Sequence, residues 1–234
     1  AEFNTLSTGA TGDFSIPITD PNDVLGLGAI PFNRSEYDPN SGDGRMEFTS
    51  QGPQFVPRWQ INSNTSYIDA SNVYGSDSGT AASLRTMVGG KLVSSAGGLL
   101  PGTDGNGFFL GGDERANENV GLTSIHALFV REHNRLAELI AANDNTLGDE
   151  EIYLRARKIV GAEMQAITYN EFLPALIGTA APLADDFTYE FFNDASITLA
   201  FSTAAFRFGH SMQSPELLLI GPDGTELGAL PLAE

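Results

Sequence analysis

The sequence holds three histidines, and one of them sits in unusual company. His210 closes the stretch FSTAAFRFGHS (residues 201–211), in which apolar and small residues surround one Arg and one His. An imidazole one residue after a glycine, at the end of an apolar run, is a candidate metal ligand. By spacing alone, a solitary helical His is more often a satisfied core or surface residue. The same bland reading applies to His126 and His133. Seven residues apart on one helix, they lie about 10.5 Å from each other along the axis, too far to chelate one ion. NTSYIDASNVYGS (64–76) alternates Thr65, Tyr67, Asp69 and Ser71. Hydroxyl, carbonyl and carboxylate oxygens spaced this way can wrap a hard cation such as Ca²⁺, or simply form the polar face of an edge strand. GDERANEN (112–119) is a polar run that composition alone assigns to a solvated loop, and the acids and bases of REHNRLAELI (131–140) suit structural ion pairing on a helix.

Composition narrows the chemistry. The chain has no cysteine, which excludes disulfides, thiolate metal sites, haem thioethers and Cys nucleophiles. Its 12 Lys+Arg against 30 Asp+Glu give a net charge of −18. Nucleic acid and anionic membrane surfaces are therefore poor partners, whereas cations and extracellular solubility suit such a surface. No run of 18 apolar residues is present, so no membrane span is expected. The opening AEFNTLSTGATGDFSIPI lacks the basic and apolar regions of a signal peptide.

The elements that must position these residues divide into a loop-rich front and a helical back. Pro, Gly, Asn and Asp clusters such as ITDPND and DPNSGDGR fill residues 1–60, with a short strand expected in MEFTSQGPQF (46–55). Residues 79–88 read as a short helix with Leu84, Met87 and Val88 on one face, and 89–107 as a hairpin or open loop. From Leu122 the apolar residues recur at helical period, with Thr123 or Ser124 as the cap. A second helix is expected over 148–178, capped by Asp149 and ended by Pro174 and Gly178, with Ile152, Ala156, Ile159, Val160, Met164 and Ile167 facing inward. A third, buried helix is expected from Asn193 or Asp194 through Met212. The tail LLLIGPDGTELGALPLAE reads as a hairpin turning at PDG.

LTSIHALFVREHNRLAELI, IYLRARKIVGAEMQAITYNEFLPALIG, YIDASNVYGS and TAAFRFGHS occur in one order, and together they resemble the animal haem peroxidase family from about Phe14 to Met212. The resemblance implies a mainly α fold with a loop-rich N-terminal part and few short strands, residues 1–234 forming part of one peroxidase domain. It puts the proximal iron ligand on His210 and a haem-propionate partner on Arg207. It puts the catalytic distal arginine on Arg115 and a haem-ester carboxylate on Glu118, so the cofactor is haem b or an ester-linked haem. It puts a Ca²⁺ site on Thr65, Tyr67 (through its backbone), Asp69 and Ser71. The family's proton-shuttling histidine stands in an Asp-His-Asp motif, and no His here follows an Asp. The chain is thus expected to begin just downstream of that motif and to stop short of the family's C-terminal helices, which makes the remainder of the same polypeptide a partner. The implied function is hydrogen-peroxide-dependent oxidation of a halide, pseudohalide or small aromatic donor, by a secreted protein. This chain alone is expected to be poorly active. The alternative is a non-catalytic, calcium-dependent binding or adhesion module.

Overall fold

A computed structural model describes residues 15–22, 28–30, 37–42, 44, 46–57, 59–61, 64–102, 105, 107–182 and 188–232. The opening segment up to Phe14 lies outside the described residues, as do positions 103, 104 and 106 of the loop read over 89–107. Contacts divide the chain into two compact units, Ala1–Ser63 with Thr198–Thr203, and Asn64–Ile197 with Ala204–Glu234.

Among its described residues the first unit holds two antiparallel pairs of strands. Strand β1 (Ile16–Pro17) pairs with β2 (Ala29–Ile30), and β3 (Met46–Thr49) pairs with β4 (Gly52–Phe55), with Met46 opposite Phe55. The single strand expected over 46–55 is therefore a hairpin. Its two-residue turn is closed by the Thr49 hydroxyl on the Gly52 carbonyl and by the positive φ of Gly52.

The second unit is helical, and its core lies where α1 (Ser71–Tyr74), α3 (Val120–Asn143) and α4 (Asp149–Ile167) meet around Tyr74, Val130, Leu136, Ile152, Ala156 and Val160. Helix α3 starts two residues earlier than its apolar period suggests, because Asn119 caps it by accepting the Leu122 N–H at 3.0 Å. Thr123 and Ser124 are not the cap. Their hydroxyls donate to the carbonyls of Ala116 and Val120 instead. Helix α4 carries Asp149, Glu150 and Glu151 in its first turn, where the helix dipole favours acids. Its cap residue is Gly148, however, because the Asp149 carboxylate is spent on the Arg85 guanidinium at 2.8 Å and the Gly90 N–H at 2.6 Å. Ile159 and Ile167 turn out exposed, and Tyr153 and Gly161 take the inner stripe instead.

The helix expected through residue 178 changes character. Residues Thr168–Phe172 form one π turn before α5 (Leu173–Ile177). Pro174 has no N–H to give to the Asn170 carbonyl, and the ladder shifts so that Leu173 N–H reaches Thr168. The segment Ser78–Ser83 forms α2, capped by Asp77 on Gly79 and Thr80. It stops short of Met87 and Val88, which are exposed; only Leu84 is buried. Among the described residues, the loop after Leu84 is laced to α3. Asn134 accepts from Leu92 N–H at 2.8 Å and donates to Leu92 C=O at 3.0 Å, and Lys91 pairs with Glu138.

The third expected helix is not continuous and not buried. Asp194 turns back on Ser196 N–H, a single helical segment spans Leu199–Thr203, and a 3₁₀ helix spans Ala205–Met212 after a break at Ala204 (φ −125°, ψ −66°). Phe206, Phe208 and Met212 stay exposed. A short segment whose apolar side chains stay exposed gains little from α-helical propensity alone, which leaves it the tighter, less regular turn. The C-terminal hairpin forms as expected, with β5 (Glu216–Ile220) pairing with β6 (Glu226–Pro231) through a turn in which Gly224 takes φ 82°.

Candidate functional site

The candidate residues fall in three segments of the second unit. In the first, residues 64–70 lead into α1. Thr65 Oγ1 accepts the Tyr67 N–H at 3.1 Å, and Asp69 Oδ1 accepts the Ser71 N–H at 3.0 Å. Between Asp69 and Ser71, buried Ala70 is held in the left-handed region at φ 61°, a conformation that costs a non-glycine residue roughly 1–2 kcal/mol. The Ile68 carbonyl is tied to α4 by the Gln165 amide at 2.8 Å. Tyr67 projects outward, so only its backbone is available to a cation in the loop.

In the second segment, Asp113 caps the 3₁₀ helix Glu114–Asn117 by accepting the Arg115 N–H at 2.9 Å. The same carboxylate receives Arg115 Nε at 2.9 Å and Nη2 at 2.5 Å. The guanidinium beside it holds the Asp113 carboxyl below its ordinary range, and the pairing raises the Arg115 pKa in turn. Glu118 follows the helix with its side chain exposed. The turn is pinned on both sides. Asn117 exchanges two hydrogen bonds with the Phe109 backbone, and the Thr123 hydroxyl reaches the Ala116 carbonyl at 2.6 Å. Upstream, Gly112 presses on α1. A Cβ there would lie 2.5 Å from the Val73 carbonyl carbon and 2.6 Å from the Gly75 nitrogen. The segment carrying Arg115 and the segment carrying Asp69 and Ser71 are thus in direct backbone contact.

The third segment is the 3₁₀ helix Ala205–Met212. At three residues per turn, Arg207 and His210 share one edge. His210 Nδ1 lies 3.1 Å from the Arg207 carbonyl. A carbonyl only accepts, so Nδ1–H donates to it and Nε2 is the ring nitrogen left outside this bond. The space above Gly209 is open, for a Cβ there would meet nothing within 4 Å. His210 itself is exposed, which corrects the expectation that it lies on a buried helix. No hydrogen bond or ion pair among the described residues joins Arg115 or Glu118 to His210.

The other two histidines are structural. His133 is fully buried between Tyr74 Oη on Nδ1 and the Gly90 carbonyl on Nε2, both at 2.8 Å. Burial pushes its pKa down, which keeps it neutral. His126 is buried with Nδ1 on the Leu122 carbonyl at 2.8 Å. Sequence reasoning passed over Asp113. Its signal is an acid two residues ahead of an arginine where the chain enters a helical turn, the place for a side chain that caps and pairs at once.

The animal haem peroxidase family model matches residues 7–233, and the chain belongs to that family. The mouse peroxidasin homolog is 41% identical over 225 residues, covering 86% of this chain and 15% of its own length. Mouse thyroid peroxidase is 34% identical over 246 residues, 92% of this chain and 26% of its own. The structure of peroxidase A from Dictyostelium discoideum superposes with a TM-score of 0.65 at 28% identity, over 94% of this chain and 46% of that one. The chain therefore spans less than half the length of these relatives.

Proposed function

We propose that the chain forms part of the haem pocket of a hydrogen-peroxide-dependent peroxidase, with His210 as the proximal iron ligand. The observation that carries this reading is the hydrogen bond from His210 Nδ1–H to the Arg207 carbonyl, at 3.1 Å. That bond leaves Nε2 as the ring nitrogen for iron, on the residue after Gly209, where a Cβ would meet nothing within 4 Å. The donor set fits haem, which asks the protein for one axial nitrogen rather than a chelating cluster. When bound, haem supplies the iron centre at which peroxide is reduced and a halide, pseudohalide or small aromatic donor is oxidised. Arg207, eclipsed with His210, would meet a propionate. Glu118 offers the exposed carboxyl that an ester-linked haem requires.

Arg115 would stabilise negative charge developing on peroxide oxygen as the O–O bond lengthens, a role suited to a permanent cation. His133 is not placed to move the peroxide proton, because both its ring nitrogens are hydrogen-bonded in the core. A base from residues outside this sequence would do so, which makes further polypeptide of the peroxidase domain a partner of this chain, within one domain to which residues 1–234 contribute.

Thr65, Asp69 and Ser71 side chains with the Tyr67 carbonyl would contribute to a Ca²⁺ site. Because Ca²⁺ takes 6–8 oxygens and one carboxylate is present in the loop, further ligands would come from outside it. An extracellular setting accords with the charge of −18. Among the described residues no helix is long and apolar enough to cross a membrane.

The test is haem uptake by the intact natural protein followed by peroxide-dependent oxidation of iodide and of a phenolic donor. Turnover of either donor supports the peroxidase reading. A protein that binds Ca²⁺ but takes up no haem would instead support the adhesion-module alternative.

A further inference from the structure

We infer that Asp113 is a positioning residue for the peroxide reaction, acting through Arg115. The inference rests on the functional reading above and deepens it. A guanidinium has five N–H donors. Asp113 occupies two of them side-on, Nε at 2.9 Å and one on Nη2 at 2.5 Å, while the same carboxylate fixes the Arg115 backbone N–H. Both Nη1 donors and the second Nη2 donor are left directed away from Asp113. This two-point grip sets the plane of the guanidinium as well as its place, which a single contact cannot do.

The grip is needed because rivals are near. Glu114 and Glu118 both act electrostatically on Arg115, and a long side chain released from Asp113 would divide its time between those two carboxylates. Asp113 wins because its own carboxylate is largely withdrawn from solvent and its backbone is anchored. Its side chain is 13% exposed, and its neighbour Gly112 is wedged against α1 with no room for a Cβ. Arg115 is thus aimed by a continuous line of contacts from α1 through Gly112 and Asp113.

Asp113 has two separable jobs, capping the 3₁₀ helix and aiming the guanidinium. Asn is as good a cap as Asp, but it lacks the charge and the second acceptor oxygen. Asp113→Asn therefore keeps the first job and loses the second, and Asp113→Ser does the same with a smaller side chain. The experiment measures the bimolecular rate constant for peroxide by stopped flow, per bound haem, in the intact haem-loaded protein. It compares wild type, Asp113→Asn, Asp113→Ser and Asp113→Glu, with Asp113→Asn repeated in an Arg115→Lys background.

The expected result is a fall of about tenfold or more in Asp113→Asn and Asp113→Ser at unchanged haem content. Asp113→Glu, which retains charge and both oxygens, should recover part of the loss. In the Arg115→Lys background, Asp113→Asn should cost little more, because the group it aims is already gone. A reactive wild type matched by both Asp113→Asn and Asp113→Ser would overturn the role of Asp113 alone. So would an equal loss in the presence and absence of Arg115. A wild type that takes up haem but does not react with peroxide would overturn the functional reading, and this role with it.

Discussion

At the scale of single residues, the three histidines of this chain have been given different work by their surroundings. His133 donates from Nε2 to the Gly90 carbonyl and accepts at Nδ1 from Tyr74, whose own ionisation burial suppresses. Because burial lowers the folded-state pKa, the unfolded chain takes up a proton near pH 6.5 while the folded one does not. Stability from this residue is therefore complete above that pH and is lost as pH falls toward the depressed folded value. The slope approaches about 1.4 kcal/mol per pH unit. Urea midpoints compared between pH 7.5 and 5.5 should decline in wild type more steeply than in His133→Gln, and parallel declines would contradict the assignment. His210 differs in being exposed. That distinction was not legible in the sequence, where all three imidazoles sit on apolar or helical stretches. Nor was the use of Asp149, because its partners Arg85 and Gly90 lie about sixty positions away and only the fold brings them to it.

At the scale of elements, regular periodicity was the readable signal. Helix α3 and the C-terminal hairpin followed from apolar spacing and turn residues, with errors confined to the caps. ENVGLTS offers Asn, Thr and Ser within a few positions, and which one caps depends on whether Thr123 and Ser124 find carbonyls of their own. The 199–212 segment was misread because an apolar composition is common to a buried helix and to an exposed apolar surface. The contact of Gly112 with α1 was equally hidden, since one glycine in a Gly-rich chain carries no mark of close approach. Gly112→Ala puts a methyl within 2.5 Å of backbone that cannot rotate away. It should destabilise the fold by about 1–3 kcal/mol, visible as a lower melting temperature. It should also slow the peroxide reaction, because Asp113 moves with it. An unchanged melting temperature would show that the two segments are not in contact as described.

At the scale of the whole molecule, the close approach of Gly112 to α1 joins the segment proposed for calcium to the segment proposed for peroxide. Ca²⁺ bound at Thr65, Asp69 and Ser71 would stabilise the native protein by mass action. Chelation should therefore lower its melting temperature, and Asp69→Asn should make the melting temperature insensitive to the chelator. A chelator response identical in the variant would place the ion elsewhere.

The central claim is the identity of the iron ligand, and His210→Ala in the intact natural protein addresses it directly. The account expects haem content to fall severely and the Soret absorbance of any residual haem to shift, with added imidazole restoring part of both. Full haem incorporation by His210→Ala with an unchanged spectrum would contradict it.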